Sequence, residues 1–196
     1  MTEPYLARTA VATLSRAAAM GLLAESEAVE TLDLDTLKSM ARHIGAAGLA
    51  PAALAELSAW KTGSPERLRD LLEQVDRALV DSPVPDHEWP ELLRVLGEPG
   101  LAALVGVARV SLRRYAAGRR ATPDPVAARL HHVALVVGNL AGSYNDYGTR
   151  RWFERKRSQL GDRRPRDVLR GAWSPDAPGP RDVLALSEAL LGSPAT

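Results

Sequence analysis

The chain of 196 residues contains no cysteine. That absence excludes disulfide bonds, thiolate metal sites and a cysteine nucleophile, and it fits a reducing compartment. Long apolar runs are missing too. No window offers the ~18 uncharged apolar residues that a membrane span needs, and the N-terminus lacks a basic start followed by an unbroken apolar core. A cytoplasmic location is the expectation. Aromatic residues are only 5% of the chain, and β-branched alternation is absent, so strands have little to form from. Ala, Leu, Arg and Glu dominate instead, and the expected fold class is all-α. Catalytic signatures are equally scarce: there is no phosphate-binding glycine loop, no zinc-ligand spacing and no nucleophile elbow. His131 and His132 are adjacent and cannot share a helix face as an i, i+4 metal pair does. The expectation is a protein that is not an enzyme and that needs no cofactor or metal.

What is present is an uneven distribution of charge. Net charge is +1, but the two halves have opposite signs. Residues 1–90 carry 8 Lys and Arg against 14 Asp and Glu, whereas residues 91–196 carry 17 against 10. Within 109–170 the count is 15 basic to 5 acidic. Such asymmetry points the second half toward a polyanion or an acidic partner, with a solvated helix face as the alternative.

Hydrophobic periodicity divides the chain into helices. Leu34, Leu37, Met40, Ala41 and Ile44 form one stripe that runs out at Gly45 and Gly48. Pro51 opens the next helix, carrying Leu54, Leu57 and Trp60. Ser64 is an N-cap with Pro65 behind it, leading into Leu68, Leu71, Leu72, Val75 and Leu79. Three prolines in DSPVPDHEWP, 81–90, then stop the chain, either as a domain boundary or as a rigid elbow within one domain. Taking the boundary gives an acidic helical unit at 1–85, a helix-turn-helix-like unit at 86–145 and a C-terminal unit at 146–196. In the second unit PELLRVLG, GLAALVG and SLRRYAAG are short helices separated by EPG and by Gly106. Thr122 is the expected N-cap of a long central helix through Val126, Leu130, Ala134, Val137, Leu140 and Tyr144. The pentapeptide PRDVL occurs at 165–169 and 180–184. Both copies suit helix starts rather than a solenoid repeat.

Residues 100–120, GLAALVGVARVSLRRYAAGRR, meet the needs of a helix-turn-helix. That motif requires a small residue where two helices cross, a glycine in the tight turn and apolar residues at core offsets. Ala102 is the small residue and Gly106 the turn; Leu101, Val105, Val107, Leu112 and Tyr115 are the core contacts. The second helix then presents Arg109, Ser111, Arg113 and Arg114 outward, with Arg119 and Arg120 beyond Gly118. Arginine reads guanine edges bidentately and also pairs with phosphates, so this face is a candidate for operator DNA. A purely structural trihelical core is the alternative.

The stretch GTRRWFERKRSQLGDRRPRDVL, 148–169, holds eight Lys and Arg around one Trp-Phe pair. Trp152 and Phe153 project about 100° apart on a helix, which places one in the core and the other at its edge. The charges of Arg150, Arg151, Arg155, Lys156 and Arg157 cover most directions and specify no single face. Gly161 allows a reversal, and Arg164-Pro165 starts another helix.

The order G-T-R-R-W-F, then L-G-D-R-R-P-R-D-V-L, resembles the toxin-binding domain of the Xre/MbcA/ParS antitoxin family. Its hallmark is a Trp-containing helix, a Gly-rich reversal and an R-x-P-x-D-x-L helix start. The preceding helix-turn-helix-like region is similar to the Xre-type part of that family, so the resemblance spans about residues 90–191, and the first 90 residues lie outside it. It implies a protein that neutralises a RES-domain toxin, an NAD-degrading enzyme, by covering its active-site cleft, and that represses its own operon. By position Trp152, Phe153, Arg164, Pro165, Asp167 and Leu169 correspond to the motif, with Arg150, Arg151, Arg155 and Arg157 as surface contacts. Each motif residue also has a structural reading: Trp152 and Leu169 as core, Pro165 as a helix start, Asp167 as a cap-region charge. In the family the C-terminal segment approaches the toxin's pocket, which falls here on the last helix and residues 192–196.

The expected function is therefore an antitoxin that binds a RES-domain toxin and operator DNA, as a homodimer or as a hetero-oligomer with the toxin. The alternative is a stand-alone helix-turn-helix transcriptional regulator or phage-type repressor in which both basic segments grip DNA.

Overall fold

A computed structural model describes residues 3–23 and 33–191. They fold as helices α1 (Glu3–Ala19), α2 (Leu34–Ala46), α3 (Pro51–Ser58), α4 (Pro65–Asp81), α5 (Pro85–Val105), α6 (Arg109–Ala116), α7 (Asp124–Ala141), α8 (Asp146–Glu154), α9 (Pro165–Val168) and α10 (Pro178–Glu188). A 3-10 turn at Ser158–Leu160 precedes α9. No strand occurs among the described residues, and the all-α expectation holds.

Local chemistry sets most of the helix starts. The carboxylate of Asp33 accepts from the Thr36 amide, the Ser64 hydroxyl from Arg67 and the Asn145 side chain from Gly148, each satisfying an amide that the first turn leaves open. Proline occupies the first turn of α3, α4, α5, α7, α9 and α10, where its missing N–H costs nothing.

Three boundaries differ from the sequence expectation. The long helix starts at Asp124, with Pro123 rather than Thr122 at the cap; the Thr122 hydroxyl instead accepts from the Trp89 indole at 3.0 Å. Trp60 lies beyond the end of α3 and packs half-buried against the core. The second PRDVL copy begins at the third residue of α10, which starts at Pro178.

Helix α7 is the centre of the molecule. Every residue from Leu130 to Leu140 on it is buried, so it is covered on all sides. Helix α1 packs on it and on α4, while α5, α8 and α10 cover its other faces. Gly138 permits a close approach of α1: a Cβ there would fall 2.9 Å from the Cα of Arg16. The Arg16 guanidinium pairs with Asp76 of α4 and reaches Asn139 of α7, which donates to the Ser187 hydroxyl of α10 at 3.0 Å. The elbow at 81–90 separates α4 from α5, yet one apolar cluster runs across it from Ala10 to Val183. Among the described residues no single helix is long and apolar enough to cross a membrane.

Candidate nucleic-acid interface and docking face

Helix α5 is broken at Gly97, whose backbone (φ 70°, ψ 158°) leaves the helical region. The expected separator EPG begins the second segment instead, with Pro99 suited to a first turn. That segment ends at Gly106, left-handed at φ 72° and ψ 41°, and α6 leaves at 120° to α5. The glycine turn thus reverses the chain between α5 and the short α6, the arrangement that the sequence pattern of 100–120 called for. Ala102 is buried at the crossing, and its carbonyl accepts from the amides of Gly106 and Val107, both at 3.0 Å. Leu101, Val105, Leu112 and Tyr115 are buried as expected, with Val107 partly so. Tyr115 also stacks on Trp89 with ring centroids 5.9 Å apart.

Of the six candidate DNA-contacting residues, Arg109, Arg113, Arg114, Arg119 and Arg120 are exposed, and Ser111 is half-buried. The Arg120 guanidinium sits 5.6 Å from the Tyr115 ring. Arg109 and Arg113 converge on a residue that the sequence did not single out, Glu98. Arg109 Nε donates to its Oε1 at 2.5 Å; Arg113 donates through Nε to Oε2 at 2.9 Å and through Nη2 to Oε1 at 3.0 Å. Hydrogen bonds from Arg113 and then Arg109 hold the Glu98 carboxyl down at about 2. The two arginines lie 11 and 15 positions from Glu98 across a turn, which matches no helical period.

The end of the first crossing helix is tied to the C-terminal region. The carbonyls of Leu104 and Val105 lack helical partners, as last-turn carbonyls do. Trp173 Nε1 donates to Leu104 at 2.8 Å, and the buried Arg129 donates through Nε to Val105 at 2.7 Å. At Gly106 the chain runs so close to Gly171 that a Cβ would fall 1.9 Å from its carbonyl oxygen.

Six of the eight basic residues of the stretch fall into three groups. Arg150 is exposed and donates through Nη1 to the Val95 carbonyl at 2.6 Å. Arg164 and Arg166 face Glu154 at 3.9 Å and 2.6 Å, and Arg164 lies 4.0 Å from Asp167, all on the surface. Arg151, Arg155 and Arg157 line one cleft of about 290 Å³ together with Tyr144, Tyr147 and Trp152, with no carboxylate in its lining. Three of the eight basic residues thus share this cleft, while Arg150 and Arg166 line the neighbouring groove between α5 and α8. Hydrogen bonding from Arg151, at 3.0 Å to the hydroxyl, lowers the pKa of the Tyr147 phenol.

Trp152 and Phe153 are both in the core, at 2% and 3% exposure, edge-to-face at 5.3 Å. This corrects the expectation that one sits at the edge: α8 is covered by α5 and α7 and again by α9, and the Arg157 guanidinium lies 5.2 Å from the Trp152 ring. Pro165 and Leu169 are buried with them, and Asp167 is exposed. Between α5 and α8 runs a groove of about 460 Å³ whose floor includes Leu96, Pro99, Ala103 and Phe153. Residues 192–196, expected to approach a toxin pocket, lie outside the described residues.

The adjacent histidines serve the core. Both His131 ring nitrogens face oxygens, Glu88 Oε1 at 2.6 Å and the Val80 carbonyl at 2.9 Å, an arrangement that suits the protonated ring, which donates from both nitrogens. Burial works against that charge, but the Glu88 carboxylate and the Val80 carbonyl outweigh it and hold the pKa above 6.5. His132 packs edge-on to Trp173, and burial pushes it down to about 4. No cluster of metal-ligating side chains occurs among the described residues. No family model, curated protein or solved structure matches the chain.

Proposed function

We propose that the protein is a DNA-binding antitoxin, not an enzyme, in which α6 reads operator DNA and the α8–α10 region covers the active site of a RES-domain, NAD-degrading toxin. The observation that carries the DNA half is the 120° crossing about Gly106, which leaves the arginines of α6 outside a packed hydrophobic crossing. Support for the toxin half is the motif resemblance over α8 and α9, together with the cleft of Arg151, Arg155 and Arg157, which suits an acidic surface. The docking contacts are these arginines and the rim of the neighbouring groove. Trp152 and Phe153 act indirectly, by holding α8 in place.

The two halves separate by mutation. Arg113→Ala with Arg114→Ala weakens operator binding and flattens its salt dependence by about 0.9 in the log–log slope for each phosphate no longer neutralised, while inhibition of the toxin's NAD hydrolysis is unchanged. Arg151→Ala with Arg155→Ala relieves inhibition and leaves DNA affinity intact. DNA affinity that falls equally in both doubles, with inhibition unmoved, favours the stand-alone regulator, whose α8 arginines grip phosphates.

A further inference from the structure

We infer that Glu98 is the specificity-determining residue of the DNA face, holding Arg109 and Arg113 as a fixed pair of guanine readers; this rests on the DNA-binding reading above. A guanidinium has five N–H donors in a rigid fork. Arg109 meets Glu98 through Nε, and Arg113 meets it side-on through Nε and Nη2. In both cases the end-on edge, formed by one hydrogen on each terminal nitrogen, remains open. That edge makes the bidentate contact to guanine O6 and N7. The carboxylate thus occupies the side of each arginine not needed for base reading and fixes two otherwise mobile side chains.

The clamp also changes how the face sees DNA that lacks the right bases. Two free guanidiniums present a charge of +2 to the phosphates, but with Glu98 the trio presents +1. Sequence-independent affinity comes almost wholly from phosphate neutralisation, so the clamp lowers binding to wrong DNA. A carboxylate close to the backbone penalises any docking in which the arginines leave it for phosphates. Right DNA keeps the trio intact and adds hydrogen bonds to base edges; wrong DNA adds none. Discrimination by a repulsive element of this kind is a general route to specificity.

The test uses the full chain and two variants, Glu98→Gln and Glu98→Ala, checked for folding by circular dichroism. Exposed ion pairs contribute little to stability, and the two variants differ in whether the replacement still hydrogen-bonds, so agreement between them excludes a packing artefact. A random-sequence duplex library is selected with the wild-type protein. The best duplex and a copy with its guanines replaced by adenines are then titrated by fluorescence anisotropy at several salt concentrations. Both variants are expected to bind the adenine duplex more tightly than wild type, with its log–log salt slope steeper by about 0.9, and to lose roughly tenfold in the ratio between the two duplexes. An unchanged ratio, including one in which both affinities rise together, overturns the inference and makes Glu98 a simple block. If the wild type enriches no sequence and Arg113→Ala binds as it does, the DNA-binding reading itself falls and the inference with it.

Discussion

Replacing Gly106 by alanine probes both the turn between α5 and α6 and the contact that joins it to the C-terminal region. At φ 72° a residue with a side chain is in the left-handed region, which costs ~1–2 kcal/mol. The new Cβ would also fall 1.9 Å from the Gly171 carbonyl oxygen and 2.7 Å from its carbonyl carbon. Both are backbone atoms, so no rotamer change relieves the clash. The loop around Gly171 must move, straining the hydrogen bond from Trp173 to Leu104 and that from Arg129 to the Trp173 carbonyl. Overpacking of this kind costs ~1–3 kcal/mol, for a sum of ~2–5 kcal/mol and a fall in melting temperature of roughly 4–20 °C in a chain of this size. Gly118→Ala is the control. Gly118 is also left-handed, at φ 64°, but nothing lies within 4 Å of its missing Cβ, so only the backbone term of ~1–2 kcal/mol applies. Urea unfolding of the two variants therefore isolates the backbone contact as their difference. Equal destabilisation would refute the close approach of Gly106 to Gly171.

Trp152→Ala removes a ring only 2% exposed and is expected to cost ~3–5 kcal/mol in urea unfolding; a variant of wild-type stability would contradict its place in the core. Failure of that variant to neutralise reports damaged folding rather than a missing toxin contact. The two histidines give stability a pH optimum. His131, held above 6.5, contributes stability that is full below 6.5 and is lost as pH rises through its folded value. His132, held at about 4, does the reverse: between pH 6.5 and 4 the unfolded chain takes up a proton that the folded one refuses, removing about 3 kcal/mol. His132→Phe is expected to lose that acid-side slope relative to wild type in urea midpoints between pH 7 and 4, and parallel curves would contradict the burial of a neutral ring.

Features governed by local chemistry were legible in the sequence. The Ser64-Pro65 start and the Gly106 turn each depend on a few neighbouring residues, and α7 was readable from its apolar stripe. The Thr122 cap was misplaced because Thr122, Pro123 and Asp124 all suit a helix start; what decides the matter is the Trp89 indole, 33 positions away. The same limit hid the capping of Leu104 and Val105 by Trp173 and Arg129, and the convergence of Arg109 and Arg113 on Glu98. These partners are joined by folding and leave no period or spacing in the chain. The positions of the basic residues in 148–169 specify no single face; the fold pairs Arg164 and Arg166 with Glu154, ties Arg150 to the Val95 carbonyl and brings Arg151, Arg155 and Arg157 to one cleft. Which arginines have acidic partners is a property of the fold.

The most direct test of the antitoxin proposal is cellular NAD after induction of the gene adjacent to this one, measured with and without co-expression of this protein. The account predicts a fall in NAD that co-expression prevents and that returns when Arg151 and Arg155 are replaced by alanine. Unchanged NAD, with the neighbour's expression confirmed, would contradict it and leave the stand-alone regulator as the proposal to test.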